Sequence, residues 1–382
     1  MYGFIKKRSN GQIRARQLEI VEMTKRSYDV ELSRRKEMAF GHRAGISSLS
    51  IEKLEQRYLL SGGGDGKINL YDLQQEQQGP TKALSSTLKR DQHEYAVTSV
   101  HWYPFDTGMF VTSSLDRTVK LYDTESMKSV FTFTLKSKVN CASMSSIASH
   151  GLIACAASEP KIRLCDLNGG TSTHSLKGHE GSVLSCTWST HREYILYSGG
   201  NDGTIRAWDI RSVDSALMSL DQDNAVDPLA STNLAHGKGV NGVSVTADGR
   251  HLVSLGLDEK IRLWDTETGH NTFVNYGNSF RNGFKFCLYP ISSGPSVYPP
   301  LLYVPSDNRE VLVFRLMDGV LIKRLKGAYG RVTCVEKREE YLDLYSGSNG
   351  GDIMIWEPPM QEKLEGGIVE DIDNWSDSGE SL

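Results

Sequence analysis

The sequence predicts an all-β protein built as a closed ring of seven similar sheets, and three observations carry that prediction. The first is residues 178–211, GHEGSVLSCTWSTHREYILYSGGNDGTIRAWDIR, where apolar and polar residues alternate over Val183–Trp188 and again over 194–198. Glycines at 199–203 then mark a turn before Trp208-Asp209. Alternation of this kind marks half-buried strands, and the Gly/Asn/Asp cluster marks the tight turn between two of them. The second is recurrence. A His, a Ser or Thr, an Asp and an aromatic residue return at matching intervals as His42, Ser61, Asp65 and Tyr71; as His93, Thr112, Asp116 and Tyr122; as His179, Ser198, Asp202 and Trp208; and as His236, Ser254, Asp258 and Trp264. The third is the set of unit endings at Tyr71-Asp72, Tyr122-Asp123, Cys165-Asp166, Trp208-Asp209, Trp264-Asp265, Phe314-Arg315 and Trp356-Glu357. Units of roughly 40–50 residues with four strands each leave both sheet faces bare until neighbours stack on them, so seven such units are stable only as a ring.

The GH…WD unit is similar to the WD40 repeat, which makes the expected fold a seven-bladed WD40 β-propeller over 31–360. An N-terminal helical segment, 1–30, precedes it, and a disordered acidic tail, 361–382, follows. Residues 9–28 read as a helix, with Ser9 and Gln12 spaced as a capping box. Ala15, Leu18 and Val21 fall on one side of it and Ile13 and Ile20 nearly opposite, two narrow seams in a basic background. Composition leaves open a frayed, solvated tail or a segment gripped between the propeller and a second protein. Residues 31–40 stand where the other repeats carry an outer strand and are expected to complete the last blade, so that the two chain ends fasten the ring.

Polar stretches 74–92 and 212–233 read as surface loops after blades one and four. Blade three is degenerate, with Cys155, Glu159 and Cys165 in the Ser, Asp and Trp positions. Blade five reads as regular. Blade six is the least distinct, since 277–305 is rich in Gly, Pro and Ser and only LLYVPSDNREVLVFRL shows two strands. Blade seven keeps Ser346 and Trp356 but has Ala328 and Gly350 in the His and Asp positions, which puts its internal network in doubt. From 365 to 382 there are six acidic residues and no basic one, with Ser376 and Ser378 beside Trp375. Such a stretch buries too little apolar area to order itself and reads as a solubilising tail or a phosphorylation target.

Bulk properties narrow the function. The 382 residues carry a formal charge of −4, but the first 36 hold ten Lys and Arg against four Asp and Glu, +6, leaving −10 on the rest. An acidic ring repels phosphates, and no aromatic residues interleave with the basic ones, which argues against direct nucleic-acid binding. No apolar run of membrane-spanning length and no secretory leader is visible, so a soluble intracellular protein is expected. Six cysteines without a CxxC pair or zinc spacing read as buried reduced thiols, and no metal or cofactor is expected. His179, Ser198 and Asp202 are the residue types of a hydrolase, yet the same set recurs in four blades, whereas a catalytic set occurs once beside an oxyanion site. They read as a structural network in which Asp accepts from His, and His and Ser bridge to the aromatic residue. The glycines of GGGDG at 62–66 join two strands instead of opening a helix, so they are turn residues and not a phosphate loop. Nothing in the chain reads as an enzyme.

A closer resemblance comes from particular stretches. Trp208-Asp209-Ile210-Arg211 is a WDxR box, similar to the ending found in propellers that dock on the damaged-DNA-binding adaptor of cullin-RING ubiquitin ligases. Gly3-Phe4, Arg8, Gly11, Leu18, Glu22, Thr24, Arg26 and Glu31-Leu32 add to it. So do YLLSGGGDGKINLYDL, VTSVHWYPFDTGMFVTSSLDRTVKLYDT, NTFVNYG and the acidic stretch around Trp375. Over nearly its whole length the chain resembles the Cockayne syndrome group A family of WD-repeat DNA-repair proteins. That resemblance implies a nuclear substrate receptor of a cullin-RING ubiquitin ligase in transcription-coupled nucleotide excision repair. It implies that Arg8, Leu18, Val21, Glu22, Lys25, Asp209 and Arg211 dock on the adaptor. The opposite face would meet the Cockayne syndrome group B protein and RNA polymerase II, and ubiquitin transfer would belong to other subunits. The alternative is a generic WD40 scaffold of another nuclear complex.

Overall fold

The computed structural model describes residues 15–74, 79–212, 216–225, 227, 230 and 233–359. One helix, Ala15–Tyr28, is followed by seven antiparallel sheets arranged as a propeller. Four-stranded blades run Ile46–Ile51, Tyr58–Gly63, Ile68–Asp72 and Ser85–Ser86 for blade one, and Val97–Trp102, Met109–Ser114, Thr118–Asp123 and Lys128–Thr134 for blade two. Blades three and four, Val139–Lys177 and Val183–Leu220 end to end, repeat the pattern. Within a blade the second strand is buried on both sides, as in Ile195–Gly200 and Asp343–Ser348. The outermost strand is largely exposed, as in Lys128–Thr134.

The core is divided into seven apolar clusters, and each is the seam between two blades. Trp208 of blade four lies with Ala154, Ile162 and Leu164 of blade three, and Trp264 of blade five with Tyr197 and Ile205 of blade four. Phe314 meets Val253 and Leu263, Trp356 meets Tyr303 and Val313, Tyr71 meets Tyr345 and Ile355, and Tyr122 meets Leu60 and Leu70. In the seam of blades two and three the smaller Cys165 holds the place, beside Val111, Val119 and Phe133. The residue that closes each repeat thus covers the preceding blade, which is why an aromatic recurs there. A bulge near the end of the third strand, at Leu121/Tyr122, Leu164/Cys165, Ala207/Trp208 and Val313/Phe314, aims that residue.

A second bulge recurs at the start of six inner strands, at Ile46/Ser48, Val97/Ser99, Val139/Cys141, Val183/Ser185, Val240/Gly242 and Val332/Cys334. It leaves Ser47, Thr98, Asn140, Leu184, Asn241 and Thr333 as the extra residues, at the end of the channel where the inner strands begin.

Several expectations need correction. Of residues 31–40 only Glu31–Leu32 forms a strand, paired with Trp356 and Glu357 of blade seven. It stops because the Ser33 hydroxyl accepts the amides of Arg35 and Lys36, turning the chain. Met38 then bridges to Thr81 beside blade one, so this segment ties blades seven and one together. The stretch 74–92 is not wholly loop: Ser85–Ser86 is the outer strand of blade one. Likewise Ala216–Leu220, within 212–233, is the outer strand of blade four. Both are short and polar, so alternation is hard to see in them. Blade five is the irregular one, with three strands, Val240–Val245, His251–Gly256 and Ile261–Asp265. Asn271 and Thr272 pair with Trp264 and Leu263, and the chain then leaves the edge at Phe273, whose φ of 58° no strand can continue. Blade six has all four strands, Ile291–Ser292, Leu301–Ser306, Glu310–Arg315 and Leu321–Lys326. The helix is described from Ala15 onward, so Ser9, Gln12 and Ile13 of the expected 9–28, like Trp375, Ser376 and Ser378 of the tail, lie outside the described residues.

Ring closure rests on a buried residue as well as on strand pairing. Val30 is 3% exposed, in the cluster with Tyr303, Val313 and Trp356. Val30→Ala is expected to destabilise the chain by about 2 kcal/mol. An unchanged midpoint in urea denaturation would show that closure does not depend on this segment.

Candidate docking face and buried networks

The His–Ser–Asp sets are internal ties. His179 Nδ1 lies 3.0 Å from Asp202, its Nε2 2.7 Å from Ser198 Oγ, and Trp208 Nε1 donates to the same hydroxyl at 2.8 Å. Blade five repeats this, with His236 at 2.9 Å from Asp258 and 2.8 Å from Ser254, which accepts from Trp264 Nε1 at 2.8 Å. In blade one His42 reaches Asp65 at 3.1 Å and Ser61 at 2.7 Å, and in blade two His93 reaches Asp116 at 2.7 Å and Thr112 at 2.8 Å. The expected bridge to the aromatic residue is made only by the tryptophans: in blade one the buried Tyr71 hydroxyl has no hydrogen-bond partner among the described residues, and in blade two Tyr122 sends its hydroxyl to the Asp91 carbonyl, because a phenol reaches farther than an indole N–H. The glycine two residues before each Asp of blades one, four and five is also explained: a Cβ on Gly63, Gly200 or Gly256 would overlap the histidine Nδ1.

Degenerate blades rebuild the tie with other residues. Glu159 of blade three takes Arg163 at 3.1 Å and Ser137 at 3.1 Å. In blade seven Trp356 Nε1 donates to Ser346 at 2.8 Å, and Asp352, two residues past Gly350, bonds to Ser348. The acid has moved along the turn.

Electrostatics agree with a structural role. Burial pushes the imidazoles of His93 and His236 below their ordinary 6.5, outweighing the aspartates beside them. Burial alone would raise the Asp65 carboxyl, but the hydrogen bonds from His42 and the amides of Arg43 and Lys67 hold it down at about 2. The carboxyls of Asp116, Asp202 and Asp258 are held down in the same way. Ser198 is fully buried, so no substrate can reach it.

Surface residues divide by strand parity. Loops joining first to second and third to fourth strands emerge on one face, and those carrying the His and Asp emerge on the other. The helix sits on the former face: Thr24 Oγ1 accepts from the Tyr298 amide at 2.9 Å and lies 3.2 Å from its carbonyl, in the first loop of blade six. Its last turn is anchored through Ser27, Tyr28 and Val30, while Val21, Glu22 and Lys25 are exposed. Lys25 and Arg26 in that turn favour the helix C-terminus. Arg8 lies outside the described residues, as does the side chain of Leu18.

Arg211 is on the same face, in the loop after the third strand of blade four. Its side chain is 65% exposed, held by Asp209 at 2.9 Å from Nε and lying 4.9 Å from the centre of the Tyr194 ring. Asp209, named with it as a docking residue, is turned inward on Arg211 and on that residue's amide at 3.0 Å, so only the guanidinium projects. Tyr194 had no signal in the sequence, because its stacking partner lies in another loop.

The central channel is divided across its middle. Cys141 Sγ is 3.8 Å from Cys186 Sγ and 3.2 Å from Tyr289 Oη, and all six cysteines are buried free thiols. On the His/Asp face a cavity of about 390 Å³ opens beside Phe286, Cys287 and Arg331. There the Arg331 guanidinium lies 3.8 Å from the centre of the Phe284 ring. On the helix face a second cavity, about 270 Å³, is lined by Ser50, His101, Thr187, Ser244, Tyr289 and Glu336. Burial pushes the Glu336 carboxyl up to about 7. Neither cavity was visible in the sequence, because each is assembled from residues of several blades that lie far apart in the chain.

The WD domain, G-beta repeat family model matches residues 170–209 and 228–265, and the tRNA methyltransferase TRM82 WD40 domain model matches 36–161. The WD repeat-containing protein ATCSA-1 of Arabidopsis thaliana is 32% identical over 99% of this chain and 100% of its own length. The chain belongs to the WD-repeat family. Among other relatives, radiation-sensitive protein 28 of Saccharomyces cerevisiae is 28% identical over 65% of the chain, and a ribosome biogenesis protein WDR12 homolog of Drosophila persimilis 25% over 59%. This chain spans about half the length of each of those two, 54% and 52%. No catalytic family is indicated by the WD-repeat matches.

Two outcomes are expected of the networks. Ser198→Ala leaves His179 Nε2 and Trp208 Nε1 without their shared partner and should cost about 1–3 kcal/mol; an unchanged denaturation midpoint would contradict the tie. Stability should also fall as pH drops below 6.5, because His93 and His236 take up protons in the unfolded chain but resist them when buried. It should fall again below 3.8, the ordinary aspartate value, as the unfolded chain protonates carboxyls that the folded ring keeps ionised. A midpoint constant from pH 7 to 5 would contradict the first step.

Proposed function

We propose that this WD-repeat protein is a non-catalytic substrate receptor of a cullin-RING ubiquitin ligase, acting in the nucleus in transcription-coupled nucleotide excision repair. Its helix face docks on the damaged-DNA-binding adaptor, and the His/Asp face receives the Cockayne syndrome group B protein and RNA polymerase II. The observation that carries this reading is the placement of an exposed helix surface, Val21, Glu22 and Lys25, on the same face as the projecting Arg211. Two features 190 residues apart in the chain can then engage one partner. The plant relative's name, ATCSA-1, and its end-to-end match support the family assignment, and the yeast relative is named for radiation sensitivity. Fold alone would not support it, since propellers serve many complexes. The ligase's other subunits perform the chemistry, and this chain raises the local concentration of target lysines.

Arg211→Glu and Val21→Glu are each expected to weaken capture of the purified adaptor at least about tenfold. Both side chains are exposed, so urea midpoints should stay within about 0.5 kcal/mol of the parent. Equal capture by both variants would overturn the docking assignment and favour a generic WD-repeat scaffold of another complex.

A further inference from the structure

The channel cavity on the helix face holds polar groups that the described residues satisfy only in part. Glu336, on the last inner strand, Val332–Arg338, accepts only the Ile51 amide, at 3.4 Å. Among the described residues no cation lies within ion-pairing distance of it. The charges acting on it are Lys53, which also lines the cavity, and Glu339. One blade beyond Ser50, His101 presents Nε2, a buried nitrogen without a hydrogen-bond partner, and its ring stands edge-on to Tyr289 at 6.1 Å. Burial keeps that imidazole neutral, which leaves one ring nitrogen free to accept.

A carboxyl group and a neutral imidazole facing one small cavity, with the hydroxyls of Ser50, Thr187 and Ser244 around them, call for a ligand rich in donors and positively charged. The walls between the polar groups are apolar, with Ile51, Trp102, Met144 and Trp188, and suit an aliphatic stem. The cavity's 270 Å³ has room for one long side chain and too little for a folded element. We propose that this cavity receives the side chain of a single lysine or arginine, projecting from a protein seated on the helix face. The ammonium or guanidinium group pairs with Glu336 and donates to His101 and the ring hydroxyls, and the methylene stem lies against the tryptophans.

The electrostatics of Glu336 are consistent with this. A buried acid with no counter-ion stays protonated to near neutrality, as Glu336 does at about 7, and a cation entering the cavity favours its ionised form. The cavity opens on the face assigned above to the adaptor, but it needs only some protein there that offers a basic side chain.

The test uses the full chain and three small probes: Nα-acetyl-arginine amide, Nα-acetyl-lysine amide and the uncharged Nα-acetyl-norleucine amide. Ligand-observed NMR should show at least one cationic amide binding the parent protein at roughly millimolar affinity and the norleucine amide not binding. Glu336→Gln should weaken the cationic probe at least about tenfold with an equal or higher denaturation midpoint, since it removes a buried unpaired acid. Thr187→Leu, which fills the cavity from another blade, should block the same probe. Equal binding to parent and Glu336→Gln, equal binding of norleucine and arginine amides, or no binding to the parent would each overturn the proposal. The probes are free amides, so this outcome is independent of adaptor capture, which Arg211→Glu tests separately.

Discussion

Each blade of this propeller is apolar on both faces, and the packing of one blade's faces on its two neighbours is the constraint on which everything else depends. A four-stranded sheet of this size cannot cover itself, so seven seams must close together. The closing residue of each repeat fills the seam with the blade before it, from Trp208 against blade three to Tyr71 against blade seven. A ring leaves one seam that the order of the chain cannot close by continuation. The protein closes it by sending Glu31–Leu32 to the edge of blade seven, with Val30 anchored in the neighbouring seam of blades six and seven and Met38 packed into the seam of blades seven and one.

Polar groups follow from that geometry. In four blades the turn brings a histidine inward under an aspartate, and Asp with Ser or Thr takes both of its ring nitrogens. Where the sequence loses one member, a neighbour replaces it, as Asp352 does beside Gly350 and as Arg163 does with Glu159. Four copies of the set in one protein, three with Ser and one with Thr beside the His and Asp, serve the ring's stability. The two faces and the channel are where side chains reach the surface.

On the helix face the anchored and the exposed are separated within a few residues. Thr24, Ser27 and Val30 fix the end of the helix to blades six and seven, which holds Val21, Glu22 and Lys25 in a set orientation. Across the ring Tyr194 and Asp209 do the same for Arg211. A partner binding there would meet side chains already ordered, which lowers the entropy lost on association.

Alternation, turn glycines and a repeated His–Ser–Asp–aromatic spacing determined the number of blades, their order and the His–Asp ties of four of them, because each is a local property of one repeat, whereas the substitute ties of Glu159 and Asp352 came only with the structure. The outer strands Ser85–Ser86 and Ala216–Leu220 escaped that reading, since an edge strand is half solvated and needs little apolar character. So did the break at Phe273, set by a left-handed backbone and not by composition. What the tertiary structure alone decided was which polar strand residues face solvent and which face the channel. Glu336 in VEKREE and His101 in SVHWYP look alike in sequence as exposed alternate positions. Strand parity assigns a side chain to one of two sheet faces, whereas only the closure of seven blades turns the inner edge of every sheet toward a common axis.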